Sequence, residues 1–258
     1  CYLNLKNNAL AVSSLSRAVQ LKSTAFSTYL GLGQAYFTMQ KYENTLQILA
    51  QGEPFAGKEK EPEKERYKLS HLRGSANFRM QRYPDAVNDL TAAIRISGNE
   101  WSDYSQLGAA YYQLNRYDEA IQSLQRASAL NPGQGINTDL LGKAHFKKGI
   151  AALSNKQYGE AVDNLRRAKE FDPKDGYVYY NMAEAYLFQK NYGEAEKALN
   201  LALEIMPKSP EVFQRLGLVY EKQKKWDQSL SAYQKAYDAK PSPGLKEALA
   251  RVAEEKKR

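Results

Sequence analysis

One aromatic position recurs along this chain, occupied by Tyr42, Tyr83, Tyr117, Tyr158, Tyr192 and Trp226, with separations by subtraction of 41, 34, 41, 34 and 34 residues. Such spacing means that the chain is assembled from copies of one unit. The fold then depends on what a single copy does with its apolar face and on what the next copy covers. The clearest copy is Trp101 to Gln134, WSDYSQLGAAYYQLNRYDEAIQSLQRASALNPGQ. In its first half Tyr104, Leu107, Gly108 and Tyr111 recur at three- and four-residue steps, which puts them on one face of an α-helix. Asn115 and Arg116 interrupt the pattern. Tyr117, Ala120, Ile121, Leu124 and Ala127 then form a second apolar face, which stops at Asn131 and Pro132 because proline cannot continue a helix. The unit reads as two short helices joined by a turn.

Small residues fix how the two helices meet. Gly108 lies where the second helix crosses the first, and Ala120 and Ala127, seven positions apart, let neighbouring backbones approach. A bulky side chain at such a contact would overpack it at a cost of roughly 1–3 kcal/mol. Ala93, Ala127, Ala168, Ala202 and Ala236 fill the same slot in five copies, and Pro132, Pro173, Pro207 and Pro241 end four. This Gly-x-x-Tyr, Tyr-x-x-Ala, Ala and Pro spacing resembles the tetratricopeptide repeat, a helix-turn-helix unit of about 34 residues. The resemblance covers nearly the whole chain. It implies an all-α, right-handed superhelical solenoid of about seven units with a C-terminal capping helix. The units are placed at about 1–25, 26–51, 63–97, 101–134, 137–175, 176–209 and 210–242, with an inter-repeat loop at 52–62 and the cap at 243–258.

Departures from the register are informative. QGEPFAGKEKEPE, residues 51–63, has loop composition and absorbs the first seven-residue excess, with Pro62 suited to the first turn of the following helix. Phe55 within it is expected to tuck back onto the stack. The second excess falls in Gly133 to Leu140, where Thr138 is expected to cap a lengthened helix ending near Ser154. Asn77 stands where a tyrosine is usual and Ser229 where an alanine is usual. Tyr2, Ala11 and Ala18 fit the slots of a first unit that lacks its opening half, so the chain is read as starting inside a repeat, with apolar surface left for upstream residues or a partner. Cys1 also permits a different reading, the lipid-anchored first residue of a mature bacterial lipoprotein. PGLKEALARVAEEKKR, residues 243–258, carries Leu245, Ala248, Leu249 and Val252 on one side and charge on the other, the form of a cap.

Composition excludes several classes. No run approaches the roughly 18 apolar residues of a membrane span. The net charge of +8 allows an acidic partner, but the basic residues are scattered among 29 acids, without the basic stripe expected of a nucleic-acid binder. One cysteine allows no internal disulfide. His71 and His145 are the only histidines, and with Cys1 they give no recognised metal-ligand spacing. His145 occupies a packing slot. Gly31 and Gly33 form an incomplete G-x-G inside a helical pattern, and neither a P-loop nor a nucleophile elbow occurs. The expectation is a chain that is not an enzyme and takes no cofactor or metal.

What is left is a surface. The resemblance implies that first helices line a concave face, which here would present Leu30, Gln34 and Phe37; His71, Ser75 and Phe78; Ser105, Ala109 and Tyr112; Phe146 and Ile150; and Tyr177, Tyr180, Asn181, Glu184 and Phe188. Phe37, Phe78 and Tyr112 repeat at one position and are expected to face a ligand, whereas Leu153 and Leu187 are expected to pack against neighbouring first helices. Members of the family that grip acidic C-terminal peptides use a clamp of lysines, asparagines and an arginine. Only Asn181 and Arg215 match it, while Leu30 and Gln34, His71 and Ser75, and Phe146 and Ile150 do not. The expected partner is a protein, contacted through a peptide or amphipathic helix. Two alternatives stand beside this scaffold reading: an envelope lipoprotein resembling the pilotins, and the recognition domain of a larger enzyme. The compartment is correspondingly cytoplasm or bacterial envelope.

Overall fold

The computed structural model describes residues 8–58, 61–133 and 135–258, apart from the side chain of Ile136. Among these residues the fold is all-α, a solenoid of helix hairpins without strands. The helices are α1 (Asn8–Gln20), α2 (Phe26–Thr38), α3 (Tyr42–Gly52), α4 (Pro62–Arg79), α5 (Tyr83–Ile96), α6 (Trp101–Gln113), α7 (Tyr117–Leu130), α8 (Gly135–Ser154), α9 (Tyr158–Phe171), α10 (Gly176–Phe188), α11 (Tyr192–Ile205), α12 (Pro210–Lys222), α13 (Trp226–Ala239) and α14 (Pro243–Lys257). They gather into two compact units, Cys1–Leu140 and Leu141–Arg258, with the division inside α8. The expectations that concern Cys1 and Tyr2, the lipid anchor and the incomplete first repeat, lie outside the described residues, as does Gln134.

Each recurrent aromatic is the first residue of a second helix, at the start of α3, α5, α7, α9, α11 and α13. The turn before it explains why. Gln40, Gln81, Asn115, Lys156, Lys190 and Lys224, two positions ahead of the aromatics, have φ between 59° and 61°. The N–H of the next residue reaches back five residues, as Lys41 to the Tyr36 carbonyl and Arg116 to the Tyr111 carbonyl, both 2.9 Å. This is the Schellman pattern, in which a left-handed residue satisfies the last carbonyls of a helix. Here residues with a Cβ bear a conformation that favours glycine.

Packing within each hairpin follows the small residues. A Cβ built on Gly108 would lie 2.6 Å from Leu124 Cγ, and one on Gly149 would lie 2.7 Å from Leu165 Cγ. Ala93, Ala127 and Ala236 are wholly buried. Where the pattern is broken, a hydrogen bond repairs it. Ser229 Oγ donates to the Gly217 carbonyl (2.8 Å), and Thr45, at the equivalent position, donates to the Gly33 carbonyl (3.3 Å). Asn77 Nδ2 donates to Asp89 Oδ2 (2.9 Å) and Arg73 Nε to the other oxygen, Oδ1 (2.7 Å), so the missing tyrosine is replaced by a polar set.

The two insertions lengthen first helices. The helices α2, α6, α10 and α12 have 13 residues, whereas α4 has 18 and α8 has 20. The segment expected to be loop at 52–62 is partly helical, since α3 runs through Gly52 into a 3-10 turn at Glu53–Phe55. Phe55 folds back to stack on Tyr29, ring centroids 5.4 Å apart. Thr138 is not a cap. The helix already begins at Gly135, and Asn137 is buried against α6 by a bond from Ser105, so Thr138 lies within the helix and is exposed. In Leu141–Arg258, α14 lays Leu245, Ala248 and Val252 on Tyr233 and Ala236 of α13.

Candidate partner-binding face of the first helices

In Cys1–Leu140 the first helices α2, α4 and α6 place most of the sequence-selected residues on a half-exposed face. Leu30 is half-buried beside Phe26, Leu49 and Leu69, and Gln34 is exposed. Ser75 is an exception: only 5% exposed, it offers no surface to a ligand. The aromatic trio is also less free than the sequence suggested. Phe37 packs edge-on against Tyr42 at 5.3 Å, Phe78 against Tyr83 at 5.8 Å and Tyr112 against Tyr117 at 6.0 Å. The Schellman turn causes this, since it reverses the chain within five residues and brings each ring onto the tyrosine that opens the second helix. The three remain half-buried, so part of each ring is on the surface.

Two polar pairs cross between first helices at the same spacing. His71 Nδ1 donates to Asp103 Oδ1 (2.5 Å), and Ser105 Oγ donates to Asn137 Oδ1 (2.6 Å); each pair is 32 residues apart. Asp103 is wholly buried and Asn137 is 1% exposed. Asp103 Oδ2 and Asn137 Nδ2 have no hydrogen-bond partner. Tyr67 stacks on His71 at 5.7 Å, and burial, together with the nearby Asp103 carboxylate, raises its phenol well above the ordinary value. Neither Asp103 nor Asn137 was singled out from sequence. The available signal was a polar residue in the opening turns of a first helix, where a groove-facing partner lay 32 positions earlier.

Beside the second pair is a hollow of about 460 Å³, with Phe78, Trp101, Ser105, Ala109, Asn137 and Leu140 in its walls. It brings together Phe78, Ser105 and Ala109, three of the residues selected from sequence.

In Leu141–Arg258, Phe146, Tyr180, Leu153 and Leu187 pack in part against a core that includes Leu165, Val178 and Leu199, and Ile150 is half-buried. Tyr177 and Phe188 are the open aromatics, 64% and 55% exposed, with Phe188 stacked on Tyr158 at 5.0 Å. The two residues that match the carboxylate clamp are engaged internally. Asn181 Nδ2 donates to the Tyr177 carbonyl (2.7 Å), while Arg215 donates to the Tyr180 hydroxyl (3.2 Å) and pairs with Glu184 (2.5 Å). His145 is a packing residue, 5% exposed, stacked on Phe171 and bonded to Asn164 Oδ1 (3.1 Å). Among the described residues no group of three His, Cys, Asp or Glu could hold a metal ion, and no helix is long and apolar enough to cross a membrane.

Hairpins of this kind, joined by one turn geometry and nested through Gly and Ala slots, define an α-helical repeat protein. Models of the tetratricopeptide repeat match residues 103–134, 152–219 and 212–247, so these stretches of the chain are tetratricopeptide repeats. The C-terminal part of a TPR repeat-containing protein from Cytophaga hutchinsonii is similar in structure, with 17% identity, 96% of each chain covered and a TM-score of 0.57. MamA is similar at 20% identity over 68% of this chain and 92% of that one, with a TM-score of 0.50. At these identities the likeness concerns the fold. No curated protein matches the sequence.

Proposed function

We propose that this chain is a non-enzymatic interaction scaffold that holds a peptide or helix of a partner protein on its first-helix face. The observation that carries this reading is the apolar and aromatic surface there that the chain leaves open. In Leu141–Arg258 it is Tyr177 and Phe188, and in Cys1–Leu140 the hollow beside Trp101 and Ala109. Exposed aromatic anchors are the residues on which interface energy concentrates. The family supports the reading, because stacked hairpins present extended binding surfaces. The internal engagement of Asn181 and Arg215 argues against recognition of a terminal carboxylate through the clamp.

The test is capture of partners by the full chain, identification by cross-linking mass spectrometry, and titration of the identified segment. Replacing Tyr177 and Phe188 together by Ser leaves the cores untouched and is expected to weaken binding at least about tenfold, which corresponds to roughly 1.4 kcal/mol. Cross-links confined to the second helices, with unchanged affinity of the double variant and of Ala109→Arg, would overturn the proposal.

A further inference from the structure

The two places where the 34-residue spacing fails are also places where the first-helix face of Cys1–Leu140 is hollowed. The extra residues of α4 and α8 stand at their N-terminal ends and overhang the preceding first helix. The first overhang, through Lys64 and Glu65, closes a hollow of about 840 Å³ against Phe26 and Leu30 of α2. The second, through Asp139 and Leu140, closes the hollow of about 460 Å³ against Trp101 and Ser105 of α6. By subtraction, Phe26 and Trp101, Leu30 and Ser105, Lys64 and Asp139, and Glu65 and Leu140 are each separated by 75 positions, one interval of 41 and one of 34. The hollow is thus a duplicated product of the insertions and not of the 34-residue unit.

The duplicates differ in chemistry. The first sets Phe26 and Leu30 among Lys58, Lys64, Lys68, Glu61 and Glu65, whereas the second has the larger apolar wall, Phe78, Trp101, Ala109 and Leu140, with Arg79 and Asp139 as its charged members. Asn137, also in its lining, accepts from Ser105 through its oxygen and keeps an amide nitrogen that no acceptor satisfies. A buried donor without a partner is an unusual feature of a folded protein. An occupant that suits this hollow has a bulky apolar group and, next to it, an acceptor oxygen. A peptide residue with a large apolar side chain supplies both, through the side chain and the main-chain carbonyl. The volume lies in the lower part of the range for ligand pockets, which fits one or two residues and not a whole helix.

We propose that this hollow anchors a single bulky apolar residue from an extended segment of a partner protein, with Asn137 Nδ2 donating to that residue's main-chain carbonyl. The assignment rests on the interaction reading above and specifies its central contact. The probe is N-acetylphenylalanine amide, with N-acetylglycine amide as control, titrated into the full chain while the tryptophan indole N–H resonances are followed by NMR. The chain has two tryptophans, and a Trp226→Phe variant assigns the Trp101 resonance.

The expected result is a saturable shift of Trp101 with the capped phenylalanine only. Asn137→Leu should weaken it about five- to tenfold and Leu140→Asp should abolish it, both with unchanged far-UV circular dichroism. If Asn137→Leu disturbs the fold, Leu140→Asp on the half-exposed wall carries the test alone. An unmoved Trp101, an equal response to capped glycine, or full binding by Leu140→Asp would overturn the site. Should Trp101 fail to respond while an identified partner still loses affinity on Tyr177 and Phe188 replacement, this site fails and the broader reading stands. A responding Trp101 with no loss at Tyr177 and Phe188 supports the site and weakens the broader reading.

Discussion

Gly108→Ala sets helix propensity against packing at the slot on which each hairpin depends. The added Cβ would stand 2.6 Å from Leu124 Cγ, 3.0 Å from Leu124 Cδ2 and 3.1 Å from the Ala120 carbonyl oxygen. Carbon atoms prefer about 3.5–4.0 Å, so Leu124 must retreat by about 1 Å. It is wholly buried, and the other wall is backbone. Overpacking of this kind costs about 1–3 kcal/mol, while exchanging Gly for Ala in a helix returns roughly 1 kcal/mol. The expected net loss is therefore about 0–2 kcal/mol. Gly159→Ala and Gly193→Ala isolate the propensity effect, because a Cβ there meets nothing within 4 Å. They should gain about 0.4–1 kcal/mol. Urea unfolding followed by circular dichroism, with hydrogen exchange in α6 and α7, gives the comparison. The reasoning is refuted if Gly108→Ala is as stable as Gly159→Ala. A related slot in α10 already carries a Cβ, since Ala183 is 1% exposed opposite a wholly buried Leu199. There Ala183→Gly should lose about 1 kcal/mol and gain no packing.

Other perturbations follow from the same structure. Gln81→Gly and Lys190→Gly, at φ of 60°, should each raise stability by about 1 kcal/mol, seen as a higher thermal midpoint, because a Cβ is unfavourable in the left-handed region. His71→Ala leaves the buried Asp103 carboxylate without its partner and should cost about 1–3 kcal/mol; adding Asp103→Ala should return part of the loss in a double-mutant cycle. Burial holds the His145 imidazole below its ordinary value of 6.5, so the unfolded chain binds this proton more readily. The contribution of His145 is then full above that pH and declines as pH falls below it toward the folded-state value. The difference in unfolding free energy between wild type and His145→Phe, measured from pH 8 to 5, should be flat at first and shrink below the ordinary value. Tyr177→Ser with Phe188→Ser should leave stability within about 0.5 kcal/mol, since exposed positions carry little of it.

The sequence by itself determined the hairpin and its repetition. The aromatics from Tyr42 to Trp226, the Gly108 and Ala127 slots and the prolines at hairpin ends act within one unit, over three- and four-residue steps that the helix imposes locally. For the same reason His145 was legible as a packing residue. Only the tertiary structure decided which first-helix side chains are open. Ser75 is buried, and Phe37, Phe78 and Tyr112 lean on the tyrosines that follow them, whereas Tyr177 and Phe188 are open. Thr138 is not a cap because α8 already begins at Gly135, Asn137 is engaged by Ser105, and Asp103 is a buried partner of His71. The last two pairings join residues 32 apart on different helices. A periodic pattern names the face on which a side chain stands, but its exposure and free valences depend on the neighbouring helix that the fold brings against it.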